Sequence, residues 1–119
     1  LITLKVDVMT EQTSKNLSGH VLEMRSLVAY QPGAVVSRML VYKSAGTITL
    51  FAFDTGEELS EHTAPYDAVV MGLEGEATIT IAGKEYVLSE WEMIIMPANI
   101  PHAVKAGSQF KMVLTMIHA

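Results

Sequence analysis

The chain is predicted to be all-β on three observations. Short runs rich in β-branched and aromatic residues recur from about residue 35 to the end, a glycine-bearing turn sequence separates most of them, and at least one run alternates with a period of two. The runs are VVSRMLVY (35–42), TITLFAFD (47–54), AVVMGL (68–73), EATITIAG (76–83), EYVL (85–88), EMIIMP (92–97) and FKMVLTMI (110–117). The separators KSAG (43–46), DTGEE (54–58), LEGE (73–76), AGK (82–84) and KAGSQ (105–109) each hold a glycine able to adopt a positive φ. Short strands at this spacing close into a barrel or stack as a double-sheet sandwich.

Taken in order, the opening LITLKVDV is apolar but short, carries Lys5 and Asp7, and lacks a small-residue cleavage pattern, so it is a poor signal peptide. Met9 is a conceivable initiator, and residues 1–15 are kept out of the functional reading. GHVLEMRSLVAY (19–30) reads as a short strand at His20 to Met24 followed by one or two helical turns. Residues 1–34 are therefore expected to pack as an N-terminal strand and short helix on a barrel formed by 35–119.

In ATITIAG, Ile79 and Ile81 share one face and Thr78 and Thr80 the other, as a half-buried strand requires. The last run is largely apolar on both sides: Phe110, Met112, Leu114 and Met116 on one face, Val113 and Ile117 on the other. Such a strand needs a second cover. That cover is either a segment of residues 1–42 folded over it or the partner in a homodimer.

Composition narrows the function classes. The 119 residues suit one domain, and with 50% apolar and 18% charged residues the folded state is strongly favoured over disorder. The net charge is −5 and no Lys/Arg cluster could follow a phosphate backbone, so nucleic acid is not an expected partner. No run approaches the ~20 apolar residues of a membrane helix. Cysteine is absent, which removes disulfides and thiolate nucleophiles and fits a cytoplasmic protein. Ser60 lacks a strand-turn-helix nucleophile elbow, and no phosphate-cradling glycine loop is present. Glu57, Glu58 and Glu61 read as a solvated acidic turn, and most of the eight methionines as adaptable core filler.

Of the four histidines, His62 and His102 stand in suggestive surroundings, whereas His20 and His118 receive no role. Two neutral imidazoles delivered from neighbouring strands into one interior could bind a divalent transition metal. Here the chain resembles the cupin superfamily. GEELSEHTAPYDAVVMGLEG resembles the first cupin signature, with Gly56, His62 and Gly75 at the family's spacings, and WEMIIMPANIPHAVKA resembles the second, with Pro97 and His102 in place. Ala64 stands where the family has a second histidine and Ala68 where it has a glutamate; Trp91, Asn99 and Ala106 replace the two glycines and the asparagine of the second signature.

The resemblance implies a cupin-type jelly-roll β-barrel, and with it the chain is expected to hold a small molecule in a pocket near His62, His102, Tyr66 and Met96; the two-sided last strand adds the expectation of a homodimer. The resemblance also implies His62 and His102 as an incomplete ligand set for Fe, Mn, Ni or Zn. Tyr66 or Asp67 could add an oxygen if the APYD turn bulges inward, although alternation points Ala68 and Val70 inward and Asp67 outward. Trp91 reads first as a half-exposed lid on a turn, and second as a pocket-mouth or dimer contact. Two activities stay open: a binding or sensing protein without redox metal chemistry, and a metal-dependent enzyme of dioxygenase or isomerase type acting on a small polar substrate.

Overall fold

The computed structural model describes residues 8–10 and 17–119. Their strands are β1 (Val8–Thr10), β2 (Val35–Lys43), β3 (Gly46–Phe53), β4 (Glu58–His62), β5 (Asp67–Glu74), β6 (Ala77–Ile81), β7 (Lys84–Leu88), β8 (Met93–Met96), β9 (His102–Ala106) and β10 (Phe110–Ile117). One sheet runs β1-β2-β3-β10-β5-β8 and the other β4-β9-β6-β7. Every pairing is antiparallel except β1 with β2, so the prediction of an all-β jelly-roll barrel holds. Among the described residues, no helix is long and apolar enough to cross a membrane.

The core lies between the sheets because each strand turns alternate apolar residues inward. Phe51 and Phe53 from β3, Ala68 and Val70 from β5, Ile79 from β6, Val104 from β9, and Phe110, Met112, Leu114 and Met116 from β10 form one buried cluster. Each large side chain so buried contributes about 1.5–3 kcal/mol. β10 is largely apolar on both faces, as its sequence indicates, and Val113 packs in a second cluster with Val36, Leu50, Ala52 and Leu73.

That outer cluster is covered by the chain itself. Val28 is buried in it, and Met24, Leu27 and Tyr30 pack against it. The segment is pinned by Lys111, whose Nζ donates to the Arg25 carbonyl, lies 4.9 Å from the Tyr30 ring centroid and sits 3.8 Å from the Glu74 carboxylate. Tyr30 donates a 2.5 Å hydrogen bond to Glu74, and burial together with that carboxylate pushes the phenol well above its ordinary pKa. A buried ammonium is tolerated here because a carbonyl, a carboxylate and a ring face surround it.

Two local readings need correction. No strand forms at His20 to Met24; one turn of 3-10 helix, Met24–Ser26, follows instead, capped by the Glu23 carboxylate accepting from the Arg25 N–H. Val21 is fully exposed, so the apolar character of that stretch finds no sheet to pair with. The acidic run at 57–61 is largely a strand: β4 buries Leu59 and pairs Glu58 with Lys105, Leu59 with Val104 and His62 with His102. One inward leucine and a bulge between Leu59 and His62 leave little period-two signal in the sequence.

Candidate functional site

His62 ends β4 and His102 begins β9, and the pairing sets them directly opposite each other. Their rings meet edge to face, with centroids 4.4 Å apart. Each is held in the same way: His62 Nδ1 lies 2.7 Å from the Ser60 carbonyl and His102 Nδ1 lies 3.1 Å from the Ile100 carbonyl. A carbonyl oxygen only accepts, so each Nδ1 carries the proton and donates, and in the neutral rings each Nε2 keeps a bare lone pair. Both Nε2 atoms are buried and have no hydrogen-bond partner among the described residues. The rings therefore do not satisfy each other, and a buried acceptor left without a partner costs about 1–3 kcal/mol.

His102 is only 1% exposed. Burial lowers its pKa below the ordinary imidazole value, and the neighbouring His62 adds to the effect, while the Ile100 carbonyl opposes it. A folded-state pKa lowered below the unfolded value of ~6.5 means that the unfolded chain binds the proton more readily. This contribution to stability is fully present above pH ~6.5 and is lost as pH falls from there through the lowered value. Urea unfolding followed from pH 7.5 to 5 is expected to show a falling midpoint, with a shallower fall in His102→Gln. Equal slopes would assign the loss to other groups.

The positions that complete the family's ligand set are empty of donors. Ala64 is 1% and Ala68 0% exposed, and Ala68 packs in the core between the sheets. Asp67 faces outward, as alternation indicates, and its carboxylate accepts from the Ala98 N–H at 2.9 Å. Tyr66 stacks on His118 with centroids 4.0 Å apart. Among the described residues no group of three or more His, Cys, Asp or Glu side chains could hold a metal. A catalytic metal site normally keeps three protein ligands. Two bare imidazole nitrogens thus fit half of a metal site, and no catalytic step follows from them.

A cavity of about 440 Å³ opens on the inner face of the six-stranded sheet. Its apolar wall is Met39, Phe51, Leu114 and Met116; Ser37, Thr47, Thr49, Tyr66 and His118 supply polar groups. Of the four residues expected around a ligand, Tyr66 lines this cavity, while His62 and His102 form their own pair on the other sheet. Met96 is 1% exposed and packs in the core opposite Ala68. His118 is the lining residue that the sequence leaves unassigned. Only its stack on Tyr66 reveals it, and no spacing encodes that contact.

The second signature's two glycine positions keep the left-handed backbone without the glycines: φ is +66° at Trp91 and +65° at Asn99. Asparagine tolerates this region, but a bulky side chain is strained there by ~1–2 kcal/mol. Trp91 is 61% exposed, with the Arg25 guanidinium 5.9 Å from its ring centroid. Trp91→Gly is expected to raise unfolding free energy by ~0.5–1 kcal/mol after the added entropy of the unfolded chain is counted. A lower denaturant midpoint would show that the ring's contacts outweigh the strain.

A small antiparallel jelly roll with two imidazoles facing each other inside it defines a double-sheet β-barrel protein with a histidine pair in its interior. The comparison with known families agrees: the cupin domain model matches residues 49–118, and the chain belongs to the cupin family. A conserved protein of unknown function from Streptococcus pyogenes is 38% identical over 85% of this chain and 89% of its own, with a TM-score of 0.81. A cupin superfamily protein from Desulfitobacterium hafniense is 29% identical over 85% of this chain and 93% of its own, also at 0.81. A cupin 2 conserved barrel domain protein from Leptotrichia buccalis is 41% identical over 78% of this chain but 45% of its own, at 0.76. No curated protein matches the chain.

Proposed function

We propose that this cupin binds a small molecule inside its barrel and that the bare Nε2 atoms of His62 and His102 receive the ligand's N–H or O–H group. The observation that carries the reading is the pair of buried, partnerless nitrogens, each fixed as an acceptor by a backbone carbonyl behind it. A binding or sensing role is favoured over catalysis because Ala64 and Ala68 supply no third donor. The absence of cysteine supports a cytoplasmic setting.

The same two nitrogens favour a second reading, a metal-dependent enzyme of dioxygenase or isomerase type. His62 and His102 would hold Fe, Mn, Ni or Zn, which would supply Lewis-acid or redox chemistry with ligands from solvent or substrate. Melting curves with a panel of small molecules, run with and without chelator, separate the two. The first reading expects stabilisation that is indifferent to chelator and lost in His62→Ala and His102→Ala. Stabilisation or turnover that appears only with added metal would replace it by the second.

Self-association belongs to the same proposal. Met93 and Ile95 on β8 and Ile117 on β10 remain exposed on the face of the sheet that the Met24–Tyr30 segment leaves open. A second copy would cover that apolar row.

A further inference from the structure

We propose that the cavity beside the Tyr66–His118 stack selects an uncharged, planar small molecule carrying one or two hydroxyl or carbonyl groups. The inference shares with the small-molecule reading above only a ligand inside the barrel; it adds this cavity, apart from the imidazole pair, and names the chemical class that fits it.

Three observations carry it. The volume, about 440 Å³, lies in the lower part of the range of small-molecule sites, ~300–1,000 Å³. Its lining includes no lysine, arginine, aspartate or glutamate among the described residues. A ligand carboxylate, phosphate or ammonium would leave water without meeting an opposite charge, and such a transfer is strongly unfavourable. An anion faces the further repulsion of a chain whose net charge is −5.

Shape and polarity then specify what fits. Tyr66 and His118 lie nearly parallel, 27° between ring planes, and with Phe51 they offer flat aromatic surface. Aromatic faces favour a planar guest in offset or edge contact. The hydroxyls of Thr47 and Thr49 come from one face of β3, and a hydroxyl both donates and accepts. They suit alcohol and carbonyl groups. Met39, Leu114 and Met116 adapt to the rest of the guest's outline.

The test uses three probes that share a phenyl ring on the intact chain at pH 8: benzyl alcohol, benzoate and benzyltrimethylammonium. Carbon-13 methyl spectra report the cavity through Met39 and Met116, and Met93, exposed on the opposite side of the sheet, serves as the control. The expected result is a saturable shift of Met39 and Met116 by benzyl alcohol, with Met93 unmoved and both charged probes at least tenfold weaker. Equal or tighter binding of benzoate or benzyltrimethylammonium overturns the inference, and so does benzyl alcohol that shifts all three methyls alike or none. Repeating the titration in His62→Ala/His102→Ala keeps the two claims apart. The preference read from the methyls persists in this variant and its loss overturns the inference, whereas the histidine reading fails separately, when a compound that moves the imidazole nitrogens of the parent stabilises this variant equally.

Discussion

A chain carrying Ala64→His and Ala68→Glu is expected to unfold well below the parent without metal and to recover when nickel or zinc is added. Both alanines are buried at the positions where the family carries its other two ligands, and Ala68 packs in the core cluster, so the new side chains enter a dry interior. An unpaired buried carboxylate there costs about 3–5 kcal/mol. At roughly 4 °C per kcal/mol for a domain of this size, the melting temperature falls by more than 10 °C. With four donors in place the metal repays that loss once it reaches a thousand times its Kd, where binding adds ~4.1 kcal/mol. The parent chain, with two nitrogens only, gains far less from the same metal. A double variant that stays destabilised at saturating nickel and zinc would show that the His62–His102 pair is not oriented as half of a metal site.

Gly75→Ala is expected to be the most damaging single small-to-small change in the barrel. Gly75 has φ +73°, and a β-carbon built there would stand 1.9 Å from the Gln109 carbonyl oxygen and 2.7 Å from the Ser108 hydroxyl. Left-handed backbone costs an alanine ~1–2 kcal/mol, and displacing the backbone that leads into β10 adds enough to exceed ~3 kcal/mol. Gly56 separates the two terms, because it shares the conformation at φ +81° but a β-carbon there meets nothing within 4 Å. Gly56→Ala should therefore lose only the conformational part. Equal losses at both positions, measured by urea unfolding, would remove the clash from the explanation.

These two glycines also show why so much of the fold was legible. Turn residues and period-two strands are local signals, and they located β2, β3, β5, β6, β7, β8 and β10. β4 and β9 escaped because their evidence is non-local. Leu59 is β4's only fully buried residue, and the strand exists because β9 pairs with it across a bulge. The site divides along the same line. The spacing of Gly56, His62, Gly75, Pro97 and His102 identified the histidine pair, and alternation placed Ala68 inward and Asp67 outward. The protonated nitrogen of each ring was hidden because it depends on the Ser60 and Ile100 carbonyls. Trp91 in left-handed backbone was hidden too, since its sequence position argues for glycine while its identity argues against it.

The central claim is that both imidazoles present a bare, buried Nε2 to the barrel interior. Nitrogen-15 spectra of the histidine side chains at pH 8 test it most directly. The expected spectrum shows Nδ1 protonated and Nε2 unprotonated in both His62 and His102, with the Nε2 resonances moving when a stabilising ligand or zinc is added. A protonated Nε2 on either ring, or Nε2 resonances that no stabilising ligand or metal moves, would contradict the account.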